Sequence, residues 1–576
     1  MLINDFIKIT KIVPKKINYR FFIFILFLTI SSVLELVSIS ALIPIAEIFM
    51  NGQSSFKFLN DFFQALSKLF AKSVDIYSIL FVFLTIVIIK SIFLIFFSYW
   101  TNKFSQNIYK SISQTLLQKY FNNNYYFFLN HKSSDLTRNV LIETKNIGAA
   151  VFCYLKAFTE IFIFFSIGVL ILIIDFKSSL ILIISFLFFA SIYFIFTKKI
   201  IYNFGQIRQT STGRLLKVLQ EIFGSIKDIK LKKSENFFEK LFGKDINDFT
   251  IAAYKSNTIN EIPRYLIEVV FVFILLLIIF TNMSNNNDFQ KIIPLLAVYL
   301  AAGFRILPGV VKLSGYLQTI QSLKPSLDLL YKEFNDTERY NEKRENIIND
   351  NINFNNDIVL DKLSFGFGKK SIFKDLNLNI KNKSVTGIIG DSGSGKSTLV
   401  NLLLGFLKPD KGCIKINNID IKNFIFKWQS NIGYVSQNIF LLDSTLKENI
   451  AFGINQEKIN IEQLNKVIKS THLEQFVKNL DNGLNTKIGE KGSWISGGQT
   501  QRIAIARELY RNPSILILDE ATTGLDEMTE EKILKKIIEL KNEITIIIVS
   551  HNKNTLKICD QIINLDKMFK IKNDSI

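Results

Sequence analysis

An all-α membrane domain of six spanning helices, fused to a soluble α/β domain of P-loop type, is the architecture predicted by this 576-residue sequence. Three observations carry the prediction. Hydrophobic residues make up 48% of the chain, which is high for a soluble protein. Apolar runs of membrane-spanning length crowd the first 330 residues. Beyond them, short β-branched runs alternate with amphipathic segments around a glycine-rich loop, the pattern of an α/β sheet.

The spans come first. Span one covers 21–50 and follows a basic N-terminus (Lys8, Lys11, Lys15, Lys16, Arg20) with no cleavage site, so it is expected to be retained, with its N-terminus in the cytoplasm. The others are predicted at 76–100, 148–174, 180–196, 264–280 and 291–318. The connections 101–147 and 197–263 are polar and basic, whereas "TNMSNNNDFQ" before the sixth span has no Lys or Arg. The positive-inside rule puts the basic loops in the cytoplasm, and an even number of spans returns the C-terminus there. Leu215, Val218, Leu219 and Ile222 recur at helical spacing, so these loops are read as helical extensions. The segment 54–70 has helical apolar spacing and fits either a helix on the outer leaflet or an ordinary packed connection. The expected domains are a membrane domain over 1–330, a charged, Asn-rich linker over 331–354 and a soluble domain over 355–576.

Composition narrows the partners. The formal charge of +19 invites a nucleic-acid reading, but the membrane-domain cations gather in cytoplasmic loops and the whole chain is rich in Lys, Asn and Ile. No nucleic-acid partner is expected. Cys153, Cys413 and Cys559 lie too far apart to suggest a metal or disulfide pattern.

The chemistry lies in the soluble domain. "VTGIIGDSGSGKSTLV" (385–400) places Gly390, Asp391, Ser392, Gly393, Ser394, Gly395, Lys396, Ser397 and Thr398 between a strand and a helix, the context of a P-loop nucleotide-binding domain. Glycines there let backbone N–H groups face phosphate oxygens. Lys396 supplies charge for the β and γ phosphates, and Ser397 a hydroxyl for Mg²⁺. In "SILILDEATTGLD" (514–526) a strand ends in Asp519, suited to hold Mg²⁺ through water. Glu520 follows, suited to orient and deprotonate an attacking water. ATP and Mg²⁺ are the expected ligand and cofactor.

"SWISGGQTQRIAIAREL" (493–509) resembles the signature motif of ATP-binding cassette proteins. "YVSQNIFL" resembles their Q-loop and carries Gln437; "IIIVSHN" resembles their switch region and carries His551. Phe367 occupies the position of their adenine-stacking aromatic residue. The resemblance covers about 355–565 and implies two ATP between two cassettes. Each ATP would be held by Phe367 and the P-loop of one chain and by Ser496, Gly497, Gly498 and Gln499 of the other. It also implies Mg²⁺ on Ser397, Gln437 and Asp519, and hydrolysis by Glu520, Gln437 and His551. One cassette and six spans per chain then imply a homodimer. Ile495, Phe367, Gly524 and Asn552 depart from the usual residues, but none handles phosphate or water, so an active ATPase is expected.

Cations also sit inside the predicted spans. "AAGFRILPGVVKL" (301–313) holds Arg305 and Lys312 seven residues apart, which would place both on one helix face unless Pro308 and Gly309 kink it. Lys90 lies in the second span and Arg264 opens the fifth. Such residues mark a substrate path or pair with buried carboxylates, and Glu35, Glu160 and Glu268 are available. Over its length the chain also resembles the PglK-type flippases that turn lipid-linked oligosaccharides across the bacterial inner membrane. The likeness is carried by "NEIPRYLIEVV" (260–270), "FRILPGVVKLSGYLQTI" (304–320), "FKDLNLNIKNK" (373–383) and "NIGYVSQNIFLLDSTLKENIAFG" (431–453). It implies that Lys90, Arg264, Arg305 and Lys312 handle the pyrophosphate of an undecaprenyl-linked glycan used in protein glycosylation. An exporter of another lipid, a peptide or a drug is the alternative. An ATP-gated channel or sensor fits less well with the Glu520 and His551 set.

Overall fold

The computed structural model divides into two units, Met1–Glu342 and Lys343–Ile576. It describes residues 2–13, 19–40, 76–174, 176–284, 289–339, 354–368, 370–489, 495–521, 527–550 and 556–566.

The first unit is helical. A short α1 (Leu2–Ile12) precedes α2 (Tyr19–Ser40), α3 (Ile76–Phe121), α4 (Thr144–Ile174), α5 (Phe176–Gly224), α6 (Glu235–Ser284) and α7 (Phe289–Arg339). The six predicted spans fall on α2 to α7. Among the described residues, stretches within 20–40, 80–121 and 133–173 are long and apolar enough to cross a membrane. Residues 41–50 of the first predicted span, and the segment 54–70, lie outside the described residues.

Several helices far outrun their apolar segments. At 1.5 Å per residue, the 46 residues of α3 reach about 70 Å, more than twice a hydrocarbon core of about 30 Å. The change of environment shows along α3 itself. Leu84, Ile88, Ile92 and Ile95 are exposed, as suits a lipid-facing stripe, whereas Phe104, Ile108, Ile112 and Leu116 recur every four residues and are fully buried. The basic loops are therefore largely continuations of the spanning helices. Helix α6 passes through Pro263, where an apolar-run reading began the fifth span. Helix α7 likewise runs through Pro308 and Gly309 without interruption.

One boundary moves. Residues 331–339, read as linker for their polarity, complete α7. The reason is packing. Phe334 is buried, its carbonyl accepts from Lys119 Nζ at 3.0 Å, and Glu333 accepts from the Tyr120 hydroxyl at 3.1 Å.

The second unit has two sheets. In the first, β1 (Ile358–Phe367) pairs antiparallel with β2 (Lys370–Ile380) and β4 (Lys411–Ile416), and β4 with β5 (Ile419–Asp420). The second is parallel, in the order β6 (Ile432–Val435), β7 (Ile515–Asp519), β8 (Thr545–Val549), β3 (Val385–Ile389), β9 (Gln561–Asn564). Strands β7 and β8 are near-continuous buried β-branched and leucine runs, as a sheet covered on both faces requires. The C-terminal ends of β3 and β7 lead into the P-loop and the acidic pair, the edge of a parallel sheet where ligands bind.

Candidate nucleotide site and membrane charge cluster

The P-loop spans from β3 to α8 (Lys396–Leu403). Gly393 and Gly395 adopt φ of 88° and 93°, a region open to glycine. At Gly395 a Cβ would also come within 2.9 Å of both Ile372 and Phe373. These turns aim the loop and the start of α8 at one point. Lys396 Nζ lies over that concavity, donating to the carbonyls of Gly390 at 2.7 Å and Asp391 at 3.0 Å. It has no carboxylate within 4 Å among the described residues, so its charge is left for an anion. Ser394 Oγ is buried without a hydrogen-bond partner, and Ser392 and Ser397 are exposed at the rim.

Opposite stands the acidic pair. Tyr434, on β6, donates its hydroxyl to Asp519 Oδ2 at 3.3 Å. Burial holds the Asp519 carboxyl above the usual carboxylate range, and the Tyr434 hydrogen bond opposes that rise. Glu520 has φ 51°, a left-handed backbone rare for a side chain of its size; its N–H donates to the Val549 carbonyl at 3.0 Å. Such strain, on the order of 1–3 kcal/mol, gathers at functional positions. The Glu520 carboxylate accepts from Gln437 Nε2 at 2.6 Å, so the Q-loop and the acidic strand meet. Among the described residues these fit a magnesium nucleotide: an ammonium with no carboxylate within 4 Å, a buried hydroxyl without a partner, and an oxygen set with no acidic cluster able to hold a metal alone.

Ser496 caps α9 (Gly497–Tyr510), accepting from the Gln499 N–H while Gln499 Oε1 accepts from the Ser496 N–H. The cap leaves Ser496 and Gly497 exposed. The far end of α9 grips the Q-loop region. Glu508 accepts from the Tyr434 N–H at 3.2 Å, and Arg507 donates to the carbonyls of Phe440 and Asn449. Tyr434 and Glu508 were not singled out in the sequence, where only their proximity to Gln437 and the signature marks them. Phe367 lies exposed at the end of β1, its ring T-shaped to that of Phe365. His551, and Gly524 and Asp526 in the loop after Glu520, lie outside the described residues.

In the membrane unit two of the four predicted cations are ion-paired. Arg305 donates to Glu35 at 2.9 Å and to Glu160 at 3.3 Å; Lys90 reaches Glu35 at 3.3 Å and the Ser38 hydroxyl at 3.0 Å. Both carboxylates are buried. Pairing is thus the structural outcome for Lys90 and Arg305, because α2, α3, α4 and α7 bring opposite charges together where water is scarce. Gly309 permits the approach of α7: a Cβ there would lie 2.6 Å from Phe164 and 3.0 Å from Glu160 Oε2. Lys312 and Arg264 are exposed and make no ion pair among the described residues, and the suggested Arg264–Glu268 pair is not formed. One cation went unnoticed. Lys156, one turn before Glu160 on α4, packs over the rings of Phe97 and Phe152 and lies 3.5 Å from the Ser98 hydroxyl. Its i, i+4 spacing to Glu160 was the available signal.

Comparison with known proteins agrees with this layout. The profile of the ABC transporter transmembrane region matches residues 21–301, and that of the ABC transporter ATP-binding family matches 373–523. The ATP-dependent permease MDL1 of Candida albicans is 41% identical over 38% of this chain and 33% of its own length. The lactococcin-G-processing and transport ATP-binding protein LagD of Lactococcus lactis is 30% identical over 77% of this chain and 62% of its own. An ATP-dependent lipid A-core flippase of Francisella tularensis is 28% identical over 63% and 60%. The chain therefore spans about a third of the first of these relatives and about three fifths of the others. A bacterial Atm1-family ABC exporter solved with ATP bound superposes with a TM-score of 0.75 over 97% of both chains at 19% identity, which establishes the fold. The transmembrane region and the ATP-binding domain on this one polypeptide are those of the ABC transporter family.

Proposed function

We propose that two copies of this chain form an ATP-driven exporter of an amphipathic substrate with an anionic headgroup. The observation that carries the ATPase half is the contact of Gln437 with Glu520 beside a P-loop whose lysine is free of carboxylates. In this reading Lys396 and the loop N–H groups bind the ATP phosphates, Phe367 stacks on the base, and Ser397, Gln437 and Asp519 hold Mg²⁺. The metal, when bound, neutralises phosphate charge. Glu520 takes a proton from the attacking water while Gln437 fixes its carboxylate, and His551 completes the set. Ser496, Gly497, Gly498 and Gln499 close the site of the partner chain.

The finer reading is flipping of an undecaprenyl-pyrophosphate-linked oligosaccharide for protein glycosylation, in the bacterial inner membrane with both termini cytoplasmic. Its support is the resemblance over 260–270 and 304–320 and the surplus of cations in the membrane unit. Proteoliposomes carrying a defined lipid-pyrophosphate glycan should show ATP-dependent translocation, and a matched lipid lacking pyrophosphate should not move. Equal transport of both lipids removes the pyrophosphate from recognition. Similarity to an ATP-dependent lipid A-core flippase and to a lactococcin-G-processing and transport protein supports export of another lipid or a peptide as the second reading.

A further inference from the structure

The charges around Arg305 do not balance, and the imbalance falls on a residue with no role so far. Arg305 and Lys90 share Glu35 and Glu160, so this four-helix group is neutral as it stands. Lys156 lies beside it with no carboxylate within 4 Å among the described residues. Its electrostatic neighbours are Glu160, already engaged by Arg305, and Lys312, a second cation. Two aromatic faces more than 5 Å away and one long contact to a hydroxyl are weak compensation for an ammonium in an apolar segment. Lys156 is half-buried, and the contacts of its ammonium, to two rings and one hydroxyl, include no anion among the described residues.

Resting on the proposed export of an anionic amphiphile, we propose that Lys156 is a further contact for the substrate's anionic group. Glu35 and Glu160 are the resident anions that withhold Arg305 and Lys90 from it. Beside the cluster, Lys156 and its electrostatic neighbour Lys312 then remain for the headgroup, matching a group with two negative charges such as a phosphate monoester or a pyrophosphate diester. Arg264, also without an ion pair among the described residues, is on α6, outside these four helices. The carboxylates set selectivity, since a singly charged lipid leaves one cation uncompensated.

The test uses full-length protein in zwitterionic nanodiscs, titrated with geranylgeranyl pyrophosphate, geranylgeraniol and phosphatidylglycerol, with binding read by intrinsic fluorescence. The pyrophosphate should bind more tightly than either comparator. Lys156→Met should weaken it by about tenfold or more, the effect of losing a charged hydrogen bond, and Lys156→Arg should restore most of the loss. Glu35→Gln, which removes the charge that holds Lys90 and one of the two that hold Arg305, should tighten it. Wild-type affinity in Lys156→Met overturns the proposal. If that variant is poorly folded by thermal unfolding, Glu35→Gln decides, and unchanged or weaker binding there also overturns it. If phosphatidylglycerol binds best and through Lys156, the contact stands and the pyrophosphate-glycan reading falls. Binding of no anionic lipid by wild-type protein removes both.

Discussion

Two glutamates in this protein are each held by a short polar contact, and they teach opposite lessons. Glu520 lies at the edge of the parallel sheet, on a strained backbone, with Gln437 at 2.6 Å. Its neighbours belong to motifs that announce themselves in sequence, because phosphate and water chemistry demand fixed residues on a fixed strand–loop–helix frame. Glu35 sits in an apolar helix and is held by Arg305 and Lys90, 270 and 55 residues away. No local pattern marks that meeting. A catalytic carboxylate is legible where its frame is local; a membrane carboxylate is legible only once helices are packed.

The comparison can be broken at either end. The largest effect is expected at Glu520: replacement by Gln keeps the hydrogen-bonding shape but removes the base, so turnover should fall about 100-fold or more with ATP binding retained. Wild-type turnover in that variant would move the water-handling group elsewhere. Next comes Glu35→Leu, which strands Lys90, leaves Arg305 with Glu160 alone and should cost about 3–5 kcal/mol in denaturant unfolding in detergent. Adding Lys90→Met should return part of that loss; strict additivity would mean that the two residues are not coupled.

A smaller effect tests how the cluster is assembled. Gly309→Ala forces a methyl against Phe164 and Glu160 Oε2, and overpacking of this kind costs about 1–3 kcal/mol. Unchanged unfolding would mean that α7 does not approach α4 this closely. The smallest effect is at Asp560 in the cassette, which accepts from the Val385 N–H at 2.9 Å and pairs with Lys541 at 3.0 Å. These contacts hold its carboxyl below the usual range. A depressed carboxyl contributes stability at neutral pH that is lost as pH falls through its folded value. Asp560→Asn should therefore lower stability by at most about 1 kcal/mol near pH 7, and the difference should vanish in acid. A constant difference across pH would exclude the charge as its source.

The P-loop, the Q-loop glutamine and the acidic strand were all legible in the sequence; that Gln437 meets Glu520 is what the structure adds. The links that tie the signature helix to this site, Glu508 to Tyr434 and Tyr434 to Asp519, were not, because they join segments 74 and 85 residues apart. In the membrane unit the apolar runs located the helices but understated their length, since a helix leaving the bilayer exchanges a lipid-facing stripe for a buried one without breaking. Residues 331–339 were misread for a related reason: polar composition hid one buried phenylalanine that extends α7.

By itself the sequence determined that this chain has a helical membrane region followed by a P-loop domain, because bilayer thickness and phosphate binding each impose a short-range pattern. It also placed Arg305, Lys90, Glu35 and Glu160 in apolar segments. Only the tertiary structure decided which of them meet, since contact between distant helices depends on packing that no local spacing encodes. That packing paired Arg305 and Lys90 with Glu35, and left Lys156, like Lys312 and Arg264, without an ion pair among the described residues.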